Sequence, residues 1–151
     1  MTCSRCYLGK DTDGDGDCPV CSKLSRVRHS RLTDLIRAQL GPHLVKPDYR
    51  KHMPGNAKPS WGCCYVASEA LWHLWGKRNG YTAMRVKYNL GGGKKGMHWF
   101  LEHRPSGLQV DITADQFQVE PDYEAAIACG FLTKKPSKRA QQIIQGVLSA
   151  L

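Results

Sequence analysis

The stretch WGCCYVASEALWHLWGKRNG, residues 61–80, decides the fold. Glycine and two cysteines open it, Ala67, Ala70, Leu71 and Leu74 recur on one face at helical spacing, and Gly76 or Gly80 closes it. This predicts a helix with a cysteine, Cys63 or Cys64, in its first turn. There the aligned peptide dipoles and free N–H groups favour a thiolate, so a lowered thiol pKa is expected. The same N–H groups can help hold an oxyanion. Toward the C-terminus, YTAMRVKYNL (81–90), MHWFLEH (97–103) and LQVDIT (108–113) read as three strands, joined by turns at GGGKKG and RPSG. The expected fold is therefore α+β, a helix packed on a small antiparallel sheet. His98 falls in the second strand and Asp111 in the third, and pairing across RPSG sets them side by side. If that sheet edge packs on the helix start, a Cys/His/Asp triad results.

Toward the N-terminus, residues 46–62 hold three prolines and two glycines without periodicity and read as a loop, made basic by Lys46, Arg50, Lys51 and Lys58. A loop of this length can flank a substrate groove. Before it, Leu32, Leu35, Ile36 and Leu40 make one amphipathic helix, stopped by Gly41 and Pro42. Further upstream, Cys3, Cys6, Cys18 and Cys21 form two CxxC pairs eleven residues apart. Two such turns offer four thiolates to one zinc ion, a closed and hence structural site, and the metal would fold the segment. Between the pairs, Asp11, Asp13, Asp15 and Gly16 match the opening of a calcium loop, but Ser22 stands where its closing glutamate belongs. Zinc and not calcium is expected here.

After the strands, residues 121–133 read as a short helix closed by Gly130, and residues 135–151 as a second, N-capped by Ser137, with Ile143, Ile144, Val147 and Leu148 on its apolar face. With 151 residues there is room for one core plus a small accessory element. Hydrophobic residues at 41% and charged residues at 23% exclude a disordered chain as the default. No apolar run is long enough for a membrane span, and the N-terminal residues lack the apolar core of a secretory signal, so a cytoplasmic location is expected. In that reducing setting seven cysteines point to metal binding and catalysis rather than disulfides. The +9 net charge would attract an acidic partner, nucleic acid among them.

The order GCCYVA, AMRVKY, HWFLE, VDIT resembles the transglutaminase-like superfamily of papain-like cysteine enzymes over about residues 60–117. His98 follows Cys64 by 34 residues and Asp111 follows His98 by 13, separations that fit, although Trp99 follows His98 directly where the family commonly leaves a residue between. Helical phase cannot separate the two cysteines. The resemblance selects Cys64, because Gly62, Cys64 and Ala67 match its G-x-C-x-x-A motif. It implies a thiol hydrolase or acyltransferase with Cys64 as nucleophile, His98 as general base and Asp111 as orienting acid, acting on an amide or ester with no catalytic cofactor. Arylamine acetyltransferases and papain-like peptidases share the order and are the nearest enzymatic alternative.

Beside the Cys64 amide a second oxyanion donor is needed, and Trp61 and Gln116 are the candidates by proximity in sequence. The expected organisation is a zinc ribbon over 1–25, a helix and basic linker over 26–59, and a transglutaminase-like catalytic domain with C-terminal helices over 60–151. A protein or peptide-like substrate is expected. The competing expectation is a nucleic-acid or protein binding module in which ribbon and basic surface bind and the triad is vestigial.

Overall fold

In the computed structural model, residue 9 and residues 18–91, 94–131 and 133–151 are described. Five α-helices occur among them: α1 (Pro19–Leu24), α2 (His29–Gln39), α3 (Pro47–Arg50), α4 (Cys64–Leu71) and α5 (Lys138–Ala150). Four strands, β1 (Tyr81–Gly91), β2 (Lys94–His103), β3 (Leu108–Val110) and β4 (Ile127–Cys129), form one antiparallel sheet in the order β3-β2-β1-β4. The class is α+β, as the periodicities predict.

The chain enters α4 through Gly62, whose φ of 72° lies in the left-handed region that glycine occupies without strain. A Cβ there would also stand 3.2 Å from the Val45 side chain. Val66 through Leu71 are all buried, so α4 is the central helix rather than a surface one. It packs on α2, α5 and β2. After Leu71 the winding widens to a π turn over Trp72–Gly76 and tightens to a 3-10 turn over Lys77–Asn79, and Gly80 in the left-handed region ends it.

Pairing sets opposite side chains on a common face. Ala83 opposite Leu101 faces the helices and joins the core of Leu32, Ile36, Leu71 and Ile143, whereas Met84, Val86 and Phe100 form a second small core on the other face. His98, paired with Val86, belongs to that second face.

Three expectations need correction. Residues 121–131 form no helix: Tyr123–Ala125 is a 3-10 turn, and Ile127–Cys129 is β4, paired with β1. So short a helix is marginal alone, while the open edge of β1 offers backbone partners. Of the two helices expected after the strands only the last, α5, forms, with Ser137 Oγ capping it as expected. The third strand stops at Val110 rather than running to Thr113, because the Asp111 carboxylate takes the Thr113 N–H at 3.2 Å and turns the chain. The loop over 46–62 contains one helical turn, α3, started by Pro47.

Candidate active site

Cys64 opens α4 and meets the sheet at its edge. β3 pairs with β2 only from Leu101 to His103, which leaves the outer edge of β2 open at residues 97–99. The helix start fills that gap: Cys64 Sγ lies 3.7 Å from the carbonyl oxygen of Met97, and Ser68 Oγ donates to the carbonyl of Trp99 at 3.2 Å. The two cysteines differ sharply in setting. Cys63 is wholly buried, its Sγ 3.7 Å from the carbonyl oxygens of both Gly41 and Pro59, whereas Cys64 is half-buried and lines a groove of about 1230 Å³.

His98 and Asp111 come together as the hairpin predicts, with Nε2 2.6 Å from Oδ2. Tyr123 O–H donates to the same oxygen at 2.6 Å, and the Thr113 N–H holds the other. Two groups converge on Oδ2, so Nε2 carries the imidazole proton and Nδ1 presents a lone pair. The ring is fully buried, boxed by Phe117 at 4.6 Å, Phe100 at 6.3 Å and Tyr88 at 6.4 Å between centroids. Nδ1 accepts no hydrogen bond, a rare condition for a buried polar atom. The Cys64 thiol is directed at Met97 rather than at Nδ1.

Burial pushes the Cys64 thiol up to about 11, and the Asp111 charge adds to the rise, while N–H groups of Trp99 and Tyr65 oppose it. The lowering expected from the helix start is thus outweighed by desolvation, because a half-turn of free N–H groups stabilises an anion less than loss of water destabilises it. The resting thiol is neutral. Burial raises Cys63 as well. Tyr88, beside Cys64 in the groove, is pushed up to about 12, chiefly by burial.

Trp61 and Gln116 both line the groove with Cys64. Gln116 is pinned by two contacts: its Oε1 accepts the Gly62 N–H at 3.4 Å and its Nε2 donates to Thr113 Oγ at 3.0 Å. Tyr123 escaped the sequence reading, since PDYEAA carries no signal that its hydroxyl would return to a carboxylate twelve residues upstream.

For the metal, Cys3, Cys6 and the acidic loop over 11–17 lie outside the described residues. Cys18 and Cys21 are buried in one small cluster, and the Cys21 N–H points to Cys18 Sγ at 3.4 Å. A Cβ on Gly9 would stand 2.9 Å from Cys18 Sγ, so the backbone at Gly9 lies against the second pair. No group of three or more His, Cys, Asp or Glu side chains among the described residues is placed to hold a metal. Nor is any described helix long and apolar enough to cross a membrane. Compared with known proteins, the chain matches no family model, no curated protein and no solved structure.

Proposed function

We propose that the chain is a thiol hydrolase or acyltransferase of transglutaminase-like fold that forms an acyl-enzyme on Cys64. The observation that carries the reading is the buried, partnerless Nδ1 of a histidine whose other nitrogen is held by a carboxylate, on the strand against which the groove-lining Cys64 sits. Buried imidazole nitrogens ordinarily have partners, and what sets His98 apart from His73, whose ring nitrogens are both unpartnered, is the carboxylate on its other nitrogen.

The thiol turns from the Met97 carbonyl to Nδ1 and gives up its proton there as sulfur attacks the carbonyl carbon of an amide or ester. Asp111 stabilises the imidazolium through Nε2–H. The negative oxygen of the tetrahedral intermediate is held by the Cys64 N–H with the Trp61 indole N–H or the Gln116 amide as second donor. The C–N or C–O bond then breaks, and His98 returns the proton from Nδ1 to the leaving amine or alcohol. Water or an amine, deprotonated by His98, takes the acyl group and frees the thiol. Cys3, Cys6, Cys18 and Cys21 would hold a structural zinc ion that folds the N-terminal segment and takes no part in the chemistry.

The test is p-nitrophenyl acetate followed by peptide mass mapping. An acetyl adduct on Cys64 and not on Cys63 is expected, formed at least about a hundredfold more slowly in His98→Ala. Equal acetylation of wild type and His98→Ala sinks the reading.

One observation favours the binding-module reading. Lys23, Arg26, Arg28 and Arg31 line a second groove, of about 760 Å³, between α1 and α2, with no acidic side chain among its walls. Steeply salt-dependent binding of generic DNA or RNA, lost in Arg26→Glu/Arg28→Glu, would support that role.

A further inference from the structure

The groove above Cys64 has a charge asymmetry. Lys46 and Lys51 come from the loop around α3, Lys95 from the start of β2 and Arg139 from the first turn of α5, so cations enter the walls from three separate elements. Asp48 is the one acidic side chain lining it. Charges that meet from distant parts of a chain usually neutralise one another, yet the ion pairs among the described residues are Asp34 with Arg37, His98 with Asp111 and Glu102 with Arg104, and none involves these four. Arg139 is oriented by donating to the carbonyl of Leu44 at 2.8 Å, which fixes its head without cancelling its charge. A half-enclosed site lined with one sign of charge focuses its field on whatever enters.

We infer that the acyl donor is an acidic polypeptide segment, with aspartate or glutamate side chains flanking the carbonyl that Cys64 attacks. This rests on Cys64 being the nucleophile. A polypeptide fits better than a polynucleotide because it offers an acyl carbon at every residue, whereas a nucleic-acid backbone has none. Lys46, Lys51, Lys95 and Arg139 bind the flanking carboxylates, and the groove is long enough in volume for several residues.

Alkylation of Cys64 in the full chain tests this, with iodoacetate and iodoacetamide as a charged and an uncharged probe of one reaction. The ratio of their rates at Cys64 is expected to exceed the ratio for N-acetylcysteinamide by roughly fivefold at low salt, and to shrink toward it in 0.5 M sodium chloride. Lys46→Glu/Lys51→Glu/Lys95→Glu should invert the preference, and the salt dependence of wild type carries the test should that variant not fold. Acetyl-(Glu)8-amide should slow alkylation at concentrations where (Lys)8 and an octathymidylate do not. A ratio equal to that of the free thiol, or protection by the oligonucleotide and not by the glutamate peptide, overturns the inference. Failure of the nucleophile reading gives a different result, iodoacetamide labelling that is indifferent to His98→Ala.

Discussion

Removing the Tyr123 hydroxyl tests whether it braces the carboxylate that holds His98. In Tyr123→Phe the ring keeps its edge-to-face contact with Phe100 at 5.0 Å between centroids, so the perturbation is confined to the O–H. That O–H meets Asp111 Oδ2 at 2.6 Å. A hydrogen bond to a charged group contributes about 1.5–3 kcal/mol. The Asp111 side chain is 9% exposed, so water can partly replace the lost donor, and about 1.5 kcal/mol is the expected cost. Burial and the Asp111 charge raise the Tyr123 phenol above its ordinary range, so it remains a donor across the pH range of the assay. Urea unfolding of wild type, Tyr123→Phe, Asp111→Asn and the double variant closes a cycle, and a coupling of about 1 kcal/mol is expected, because the neutral amide accepts more weakly than the carboxylate. Cys64 labelling should slow several-fold in Tyr123→Phe alone. Additivity within about 0.3–0.5 kcal/mol, with labelling unchanged, would refute the brace.

His73 is buried with neither ring nitrogen bonded, and burial, aided by Lys77, lowers it from 6.5 to about 4. The unfolded chain therefore binds a proton between those values that the fold refuses, so stability should fall by about 3 kcal/mol from pH 6.5 down to pH 4 and then level; His73→Leu should flatten that window in pH-dependent unfolding, and an unchanged slope would count against it. Glu69, wholly buried in α4, accepts both the Ser137 N–H and the Ser137 hydroxyl at 2.8 Å, joining that helix to the start of α5. Glu69→Ala should cost about 2–4 kcal/mol in urea unfolding and Glu69→Gln clearly less, and equal losses would contradict hydrogen bonding as the cause. The native chain should carry about one zinc ion, measured by emission spectroscopy, and Cys18→Ser/Cys21→Ser none. A metal-free chain purified without chelator removes the ribbon.

Local patterns that matched long-range packing were legible before the structure. The apolar spacing of Ala67, Ala70 and Leu71 announced α4, and the RPSG turn announced a hairpin whose register, with Leu101 opposite Val110, leaves residue 111 diagonal to residue 98 on the same face. Residues 121–131 misled because alanine-rich composition favours a helix, while the decisive term was the unpaired edge of β1, which no local window contains. The same holds for Tyr123, whose partner lies across a turn created by Asp111 itself. The choice between Cys63 and Cys64 turned on depth: one side chain faces the Gly41 carbonyl and the other the groove. The thiol's raised pKa was hidden for a related reason, since burial depends on the walls contributed by β2 and the loop over 46–62.

That raised pKa makes one measurement decisive, the iodoacetamide rate at Cys64 near neutral pH against N-acetylcysteinamide, in wild type and His98→Ala. Acting alone, a thiol at about 11 rather than 9.0 should react about ten to a hundred times more slowly than an ordinary thiol, the lower bound allowing for its greater intrinsic nucleophilicity. In the proposed mechanism, transfer of its proton to His98 Nδ1 would lift that restriction. A rate at or above that of the free thiol, falling at least about tenfold in His98→Ala, is the predicted result. A slow rate that His98→Ala leaves unchanged would contradict the triad.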